Sequence, residues 1–326
     1  MKRSLVMNLL FWMVIVSFAA GSTAWAQSYP SRPVNLILPG TPGSIIDITG
    51  RMLGDELGKI LGQQFVPMNK PGGAFTVGTD FVAKSKKDGY TLSYTNNPAI
   101  VYARVLTPDT LTYDPDKDLE PLGLHLFFAH TVAVQESAPW KTFKELLEYA
   151  KKNPGKVNIN TPGIGSTAHF HLEIIQSLTG TQFNHVPFKS GEAVITGLLG
   201  GHVDATFDAV SKLRPHMESG KVRMLLVSIK VPDLPKVPTL AELGYGQQQL
   251  VPSWFGMYGP AGLPEDVKKV LIPAIEKAVK NPQLKAKIEK LDFIVQYRTP
   301  AEQKKLATEE YKSALEIAKR LGLGKK

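Results

Sequence analysis

Short runs of β-branched and apolar residues recur along the chain, each followed by a longer stretch whose apolar positions repeat every three or four residues. The runs VNLIL (34–38), TLSYT (91–95), TVAV (131–134), VNIN (157–160), NHVPF (184–188), DATFDA (204–209) and RMLLVSI (223–229) read as strands. Helical periodicity starts near Asp47, Thr76, Thr142, Thr167, Gly191 and Ser211, and again near Pro264, Pro282 and Pro300. In the helix from Asp47, one face carries Ile48, Met52, Leu53, Leu57, Ile60 and Leu61, and the other carries Arg51, Asp55, Glu56 and Lys59. Gly50, Gly54 and Gly58 form a row along it, which in a charged helix means close approach to a sheet rather than dimerisation in lipid. Alternation of strands and helices predicts an α/β architecture with largely parallel sheets.

The first residues do not fit that pattern. Lys2 and Arg3 precede an apolar run from Leu9 to Ala20, and Ala24-Trp25-Ala26 has the small-x-small form of a signal-peptidase site. The run is shorter than the roughly 20 residues that span a bilayer. A secretory signal cleaved after Ala26 is therefore expected, and with it an exported protein. The sequence holds no cysteine, so disulfides, thiolate catalysis and an acyl-thioether anchor are excluded. About 300 residues remain after the leader, enough for two domains. The formal charge of +9 falls to +7 without Lys2 and Arg3, which suits anionic partners. The charges are scattered with no aromatic-interleaved basic stripe, so nucleic acid is not an expected partner.

Candidate chemistry gathers where strands end. VNLIL leads into PGTPGSIID, TLSYT into NNPAI, VNIN into TPGIGSTAH, and DATF into DAVSK. In open α/β sheets this carboxyl edge is where ligands sit, so the four loops are expected to line one crevice. Two share a design: Pro42-Gly43-Ser44 before one helix, and Pro162-Gly163 with Gly165-Ser166-Thr167 before another. Glycine lets a ligand approach the backbone, and the first helical N–H groups are unpaired and partly positive. A small carboxylate held between two such ends is the expected occupant.

Other chemistries fit these loops less well. A phosphate loop needs Gly-Lys-Ser/Thr, and no lysine follows the turn. A hydrolase elbow needs G-x-S-x-G, whereas Gly165-Ser166 runs into Thr167 and Ala168. Ser166 and His169 as nucleophile and base lack a third member. His169 and Glu173 are four residues apart, but no H-E-x-x-H motif exists and no metal is expected. No cofactor is expected either.

A series of motifs in order resembles one family. YPSRPV, PGTPGSIID, LGQ, NKPG and DGYTL, then YDPDKDLEPLG, HVPFKSG, LLGGHVDATFD, VPTLAELG and SWFGMYGPAGLP, are similar to the extracytoplasmic receptors of tripartite tricarboxylate transporters, Bug type. The resemblance covers nearly all of the mature chain. It implies a two-lobed clamshell of the type II periplasmic-binding-protein kind, each lobe a mostly parallel sheet flanked by helices. By that analogy domain I takes residues 27–126 and 249–326, and domain II takes 127–248. It implies a solute receptor, not an enzyme, that closes on a small carboxylate and delivers it to a permease of one large and one small integral membrane subunit. A monomer is expected. Binding residues carried over by position are Pro42, Gly43, Ser44 and Asp47 in one lobe and Thr161, Gly163, Gly165, Ser166, Thr167 and His169 in the other, with Asn96, Asn97 and Asp208 at the remaining strand ends.

The chain departs from the family pattern at Ser44, Ile45 and Ile46, where a second glycine and small or polar residues are usual, and at Phe188, Ser190 and Ala209. With Phe127 and Phe128 near the presumed crossing, these predict a more apolar cleft and a ligand with an apolar or aromatic body. Asp47 next to an anion would repel it, so it either reads a ligand's amine or hydroxyl or caps its helix. The rival classes are an exported hydrolase built on Ser166 and His169, and a ligand receptor feeding a sensor kinase.

Overall fold

The computed structural model describes residues 29–188, 191–245 and 250–321. The expected leader, the departure at Ser190 and the expected boundary at 248/249 lie outside the described residues. The chain lays down β1 (Val34–Leu38), β2 (Phe65–Asn69), β3 (Thr91–Asn96) and β4 (Leu119–Phe128), then β5 (His130–Gln135), β6 (Asn158–Thr161), β7 (Asn184–Pro187), β8 (Ala205–Ala209) and β9 (Val222–Val227), and then β10 (Ser253–Pro260) and β11 (Ile294–Arg298). Two sheets result. One has the order β11-β4-β10-β3-β1-β2 and the other β7-β6-β8-β5-β9. The second sheet uses only the middle of the chain, while the first collects strands from both ends.

Helices α1 (Ile45–Leu61), α2 (Thr76–Ala83) and α3 (Ala103–Leu106) belong to the first sheet, as do α8 (Glu265–Val279), α9 (Pro282–Glu289) and α10 (Pro300–Leu321). Helices α4 (Phe143–Lys152), α5 (Thr167–Thr179), α6 (Gly191–Leu199) and α7 (Val210–Glu218) belong to the second. Each expected helix start falls within two residues of the observed one. Local chemistry explains several of them. Thr142 Oγ1 accepts the Glu145 amide while Glu145 reaches back to the Lys141 amide, and Ser166 Oγ accepts the His169 amide. The glycine row of α1 packs on the sheet as expected: a Cβ added to Gly50 would lie 2.5 Å from Leu38 Cδ2, and one added to Gly54 would lie 3.0 Å from Leu36 Cδ2.

The two-lobed α/β arrangement stands, but the sheets are mixed rather than mostly parallel. β1 is parallel to β2 and β3, and β6 is parallel to β7 and β8. β5 runs antiparallel to β8 and β9, and β10 antiparallel to β3 and β4. The reason is the route of the chain. β5 follows β4 after the single residue Ala129, and β10 receives the chain back from the other lobe, so both enter their sheets at the edge where the neighbouring strands end. Four strands escape the periodicity: β2 with Pro67, β4 with Pro121 and Gly123, β10 with Gly256 and Gly259, and the edge strand β11. β10 is buried along its whole length, which removes the alternation that marks a half-exposed strand.

Candidate ligand-binding cleft

The loops after β1, β3, β6 and β8 converge on one cavity of about 430 Å3 between the two sheets. That is toward the small end of the roughly 300–1,000 Å3 typical of small-molecule sites. Ser44, Asn96, Gly163, Ser166, Thr167 and Asp208 line it, as their strand-end positions predict. Pro42, Gly43, Asp47, Asn97, Thr161, Gly165 and His169, also expected at the site, are not among the residues that line it.

Two helix ends open onto the same space. Ile45 and Ile46 open α1 on one side, and Thr167 and Ala168 open α5 on the other. The amides of a first helical turn have no intrahelical acceptor, so both walls present partly positive donors. The hydroxyl of Ser44 is turned away from its own helix, donating to Thr41 O at 2.6 Å.

Asp47 is buried behind the α1 end. Its Oδ2 accepts the Gly43 amide at 2.9 Å, and its Oδ1 accepts Arg51 Nε and Asn69 Nδ2, both at 2.8 Å. Asn69 also donates to Gly40 O, tying β2 to the loop. Burial alone would raise the Asp47 pKa. The Gly43 amide, Asn69 and Arg51 outweigh that and hold it below the usual carboxylate range. Its charge is thus compensated locally and braces the Gly40–Gly43 turn, where Gly43 has φ 79°.

At the α5 end, Gly163 (φ 134°) and Gly165 (φ 85°) hold backbone geometry that side-chain-bearing residues rarely adopt. Thr161 Oγ1 meets His185 Nε2 at 2.8 Å, and His185 stacks on His169 with ring centroids 4.5 Å apart. His169 Nδ1 accepts the Gly165 amide and its Nε2 lies 3.6 Å from Glu173 Oε1. Burial, and then His185, push the His169 pKa down to about 4. Ser166 Oγ caps the helix, and the ring nitrogens of His169 are engaged elsewhere, so no nucleophile–base hydrogen bond joins them. Among the described residues no group of three or more His, Cys, Asp and Glu side chains is placed to hold a metal.

The floor of the cleft joins both lobes. Ser253 Oγ donates to Thr167 Oγ1 at 2.8 Å, and Thr167 Oγ1 donates in turn to Asn97 Oδ1 at 3.4 Å. Asn97 Nδ2 donates to Glu310 Oε1 at 2.8 Å, and Tyr102 and Trp254 donate to the same carboxylate at 2.5 and 2.7 Å. Burial raises the Glu310 pKa, while its three donors act against that rise. Tyr102 also stacks on Phe170 across the junction, with centroids 4.8 Å apart.

Sequence reasoning did not select other residues that form the wall. The segment Pro71–Phe75 lines the cavity, with Ala74 and Phe75 both left-handed at φ 51° and 78°. Consecutive side-chain-bearing residues in that region are strained, and strain of this kind collects at functional loops. The Lys70-Pro71-Gly72-Gly73 run was the available signal. Ala74 reaches the other lobe: a Cβ on Gly165 would lie 3.4 Å from its own. Lys212, in the DAVSK run after β8, lines the cavity, as do Phe255 and His130, which nothing local in the sequence marks.

The model of the tripartite tricarboxylate transporter family receptor matches residues 49–323. The chain belongs to that receptor family. A Cupriavidus necator relative, the UPF0065 protein in the gbd 5′ region, is 34% identical over 94% of this chain and 93% of its own. The periplasmic binding protein BugD superposes with a TM-score of 0.83 at 29% identity, covering 90% of this receptor and 99% of BugD. An R. palustris protein solved with adipate gives a TM-score of 0.84 at 26% identity, covering 90% and 99%. No helix among the described residues of this receptor is long and apolar enough to cross a membrane.

Proposed function

We propose that this receptor captures a small carboxylate in the periplasm and passes it to a membrane permease of a large and a small integral subunit. The observation that carries the reading is that two helix ends, those of α1 and α5, open onto one cavity. The adipate bound by the R. palustris relative supports the ligand class. The chain is exported by a leader cleaved after Ala26 and works as a monomer. Its lobes are residues 27–128 with 249–326, and 130–248, two residues on from the 126/127 division that the resemblance implied because β4 keeps Phe127 and Phe128 in the first sheet, and they close about the crossing at Ala129.

The ligand leaves unchanged, because Ser166 and His169 are not arranged as nucleophile and base. Isothermal titration of the mature protein against mono- and dicarboxylates tests the reading. Saturable binding is expected, together with no hydrolysis of ester substrates. Failure of every carboxylate to bind, or ester turnover lost in Ser166→Ala, would refute it.

A further inference from the structure

Resting on that reading, we infer that the ligand is a monocarboxylate whose remaining body is apolar. The first observation is charge. Asp208 and Lys212 are the charged side chains lining the described cavity, and they are engaged with each other, Lys212 Nζ 3.2 Å from Asp208 Oδ2. His130 adds no charge: burial, and then the Lys212 charge, push its pKa down to about 3. Among the described lining residues no cationic side chain is left to neutralise a second carboxylate unless the Asp208–Lys212 pair breaks, and a desolvated carboxylate without a counter-charge is disfavoured.

The second observation is the shape of what remains. Ile45 and Ile46 at the α1 end share the cavity lining with Phe75, Phe128, Phe188 and Phe255. Phe128 and Phe255 pack on one another with centroids 5.2 Å apart, and Phe128 also packs on His130 at 5.2 Å, which gives a continuous aromatic surface. One anionic group therefore goes to the helix ends, and the Ile and Phe side chains of the lining offer the rest of the ligand an apolar surface. At about 430 Å3 the space has ample room for a ring-sized body, since a cavity of about 150 Å3 is enough for benzene.

The test is titration of the mature protein with phenylacetate, cyclohexanecarboxylate, adipate, malate and citrate. Phenylacetate and cyclohexanecarboxylate should bind about tenfold or more tightly than the other three, the factor expected from burying a few extra carbon atoms against an apolar wall. Ile45→Ser and Phe75→Ser, both at half-buried positions, should each weaken phenylacetate about fivefold or more while leaving the melting temperature within a few degrees. Adipate, malate or citrate binding as tightly as phenylacetate overturns the inference and leaves the carboxylate-receptor reading standing. Loss of all binding across the five acids overturns both. Unchanged phenylacetate affinity in both variants overturns the placement of the apolar body.

Discussion

Asp47 shows how one side chain divides between sequence and structure. Its position at a helix start fits a cap and a ligand contact equally, and Arg51 four residues on is visible in the sequence, but Asn69 arrives from β2 and is not. With both partners placed, the carboxylate is a brace for the Gly40–Gly43 turn. Asp47→Asn should therefore destabilise the protein by about 1–3 kcal/mol, the range for breaking a buried charged hydrogen-bond set, and lower affinity by a similar factor for every ligand. Urea denaturation and a ligand panel check this; a change in ligand ranking would give Asp47 a direct contact.

The buried histidines make a pH prediction. Burial lowers His125 and His130 from the ordinary 6.5 to about 3, and His169 to about 4. A depressed folded-state value means the unfolded chain takes up protons that the native chain refuses. The stability they contribute is complete above pH 6.5 and declines as pH falls from there toward 4. Urea midpoints at pH 7.5 and 5 should differ in that direction, and His169→Gln should narrow the difference.

At the scale of elements, helices were legible because their caps and apolar stripes are local, as at Thr142, Ser166 and the face of α1. The strand-end loops were legible too, since turn residues and hydroxyls announce them. β4 and β10 were not. Their glycines and prolines mimic loops, and a strand buried on both faces has no period to read. The aromatic wall depends on those two strands and on β5 as well as the loops, which is why its full extent was not foreseen. The loop before α5 carries a sharp prediction. At φ 134° a Cβ on residue 163 is strained and would also sit 3.3 Å from Phe188 O. Gly163→Ala should cost about 1–3 kcal/mol of stability and weaken ligand binding, whereas a neutral outcome by thermal denaturation and titration would mean the loop relaxes freely.

Across the whole molecule the two lobes are tied at points away from the cavity. Arg214 on α7 donates to Asp292, between α9 and β11, at 2.6 Å, and also pairs with Asp233 at 3.0 Å. The first of these contacts spans the lobes. Asp292 sits at φ 64°, a region asparagine tolerates, so Asp292→Asn removes charge without new backbone strain. The variant should bind ligand about three- to tenfold more weakly, equivalent to about 1 kcal/mol, and show a larger ligand-free radius of gyration in solution scattering. An unchanged radius and affinity would make the pair incidental to closure.

The cleft floor also depends on the order in which the polypeptide is delivered. Asn97, Tyr102 and Trp254 all donate to Glu310, which lies on the final helix. A chain that emerges amino end first, as every polypeptide does in synthesis, must hold three donors in waiting until nearly its last segment appears. An incompletely delivered copy then has a raw, hydrated base where the finished one is dry, so a stop codon ahead of residue 310 should yield a product that proteases clear rather than a weakened scavenger.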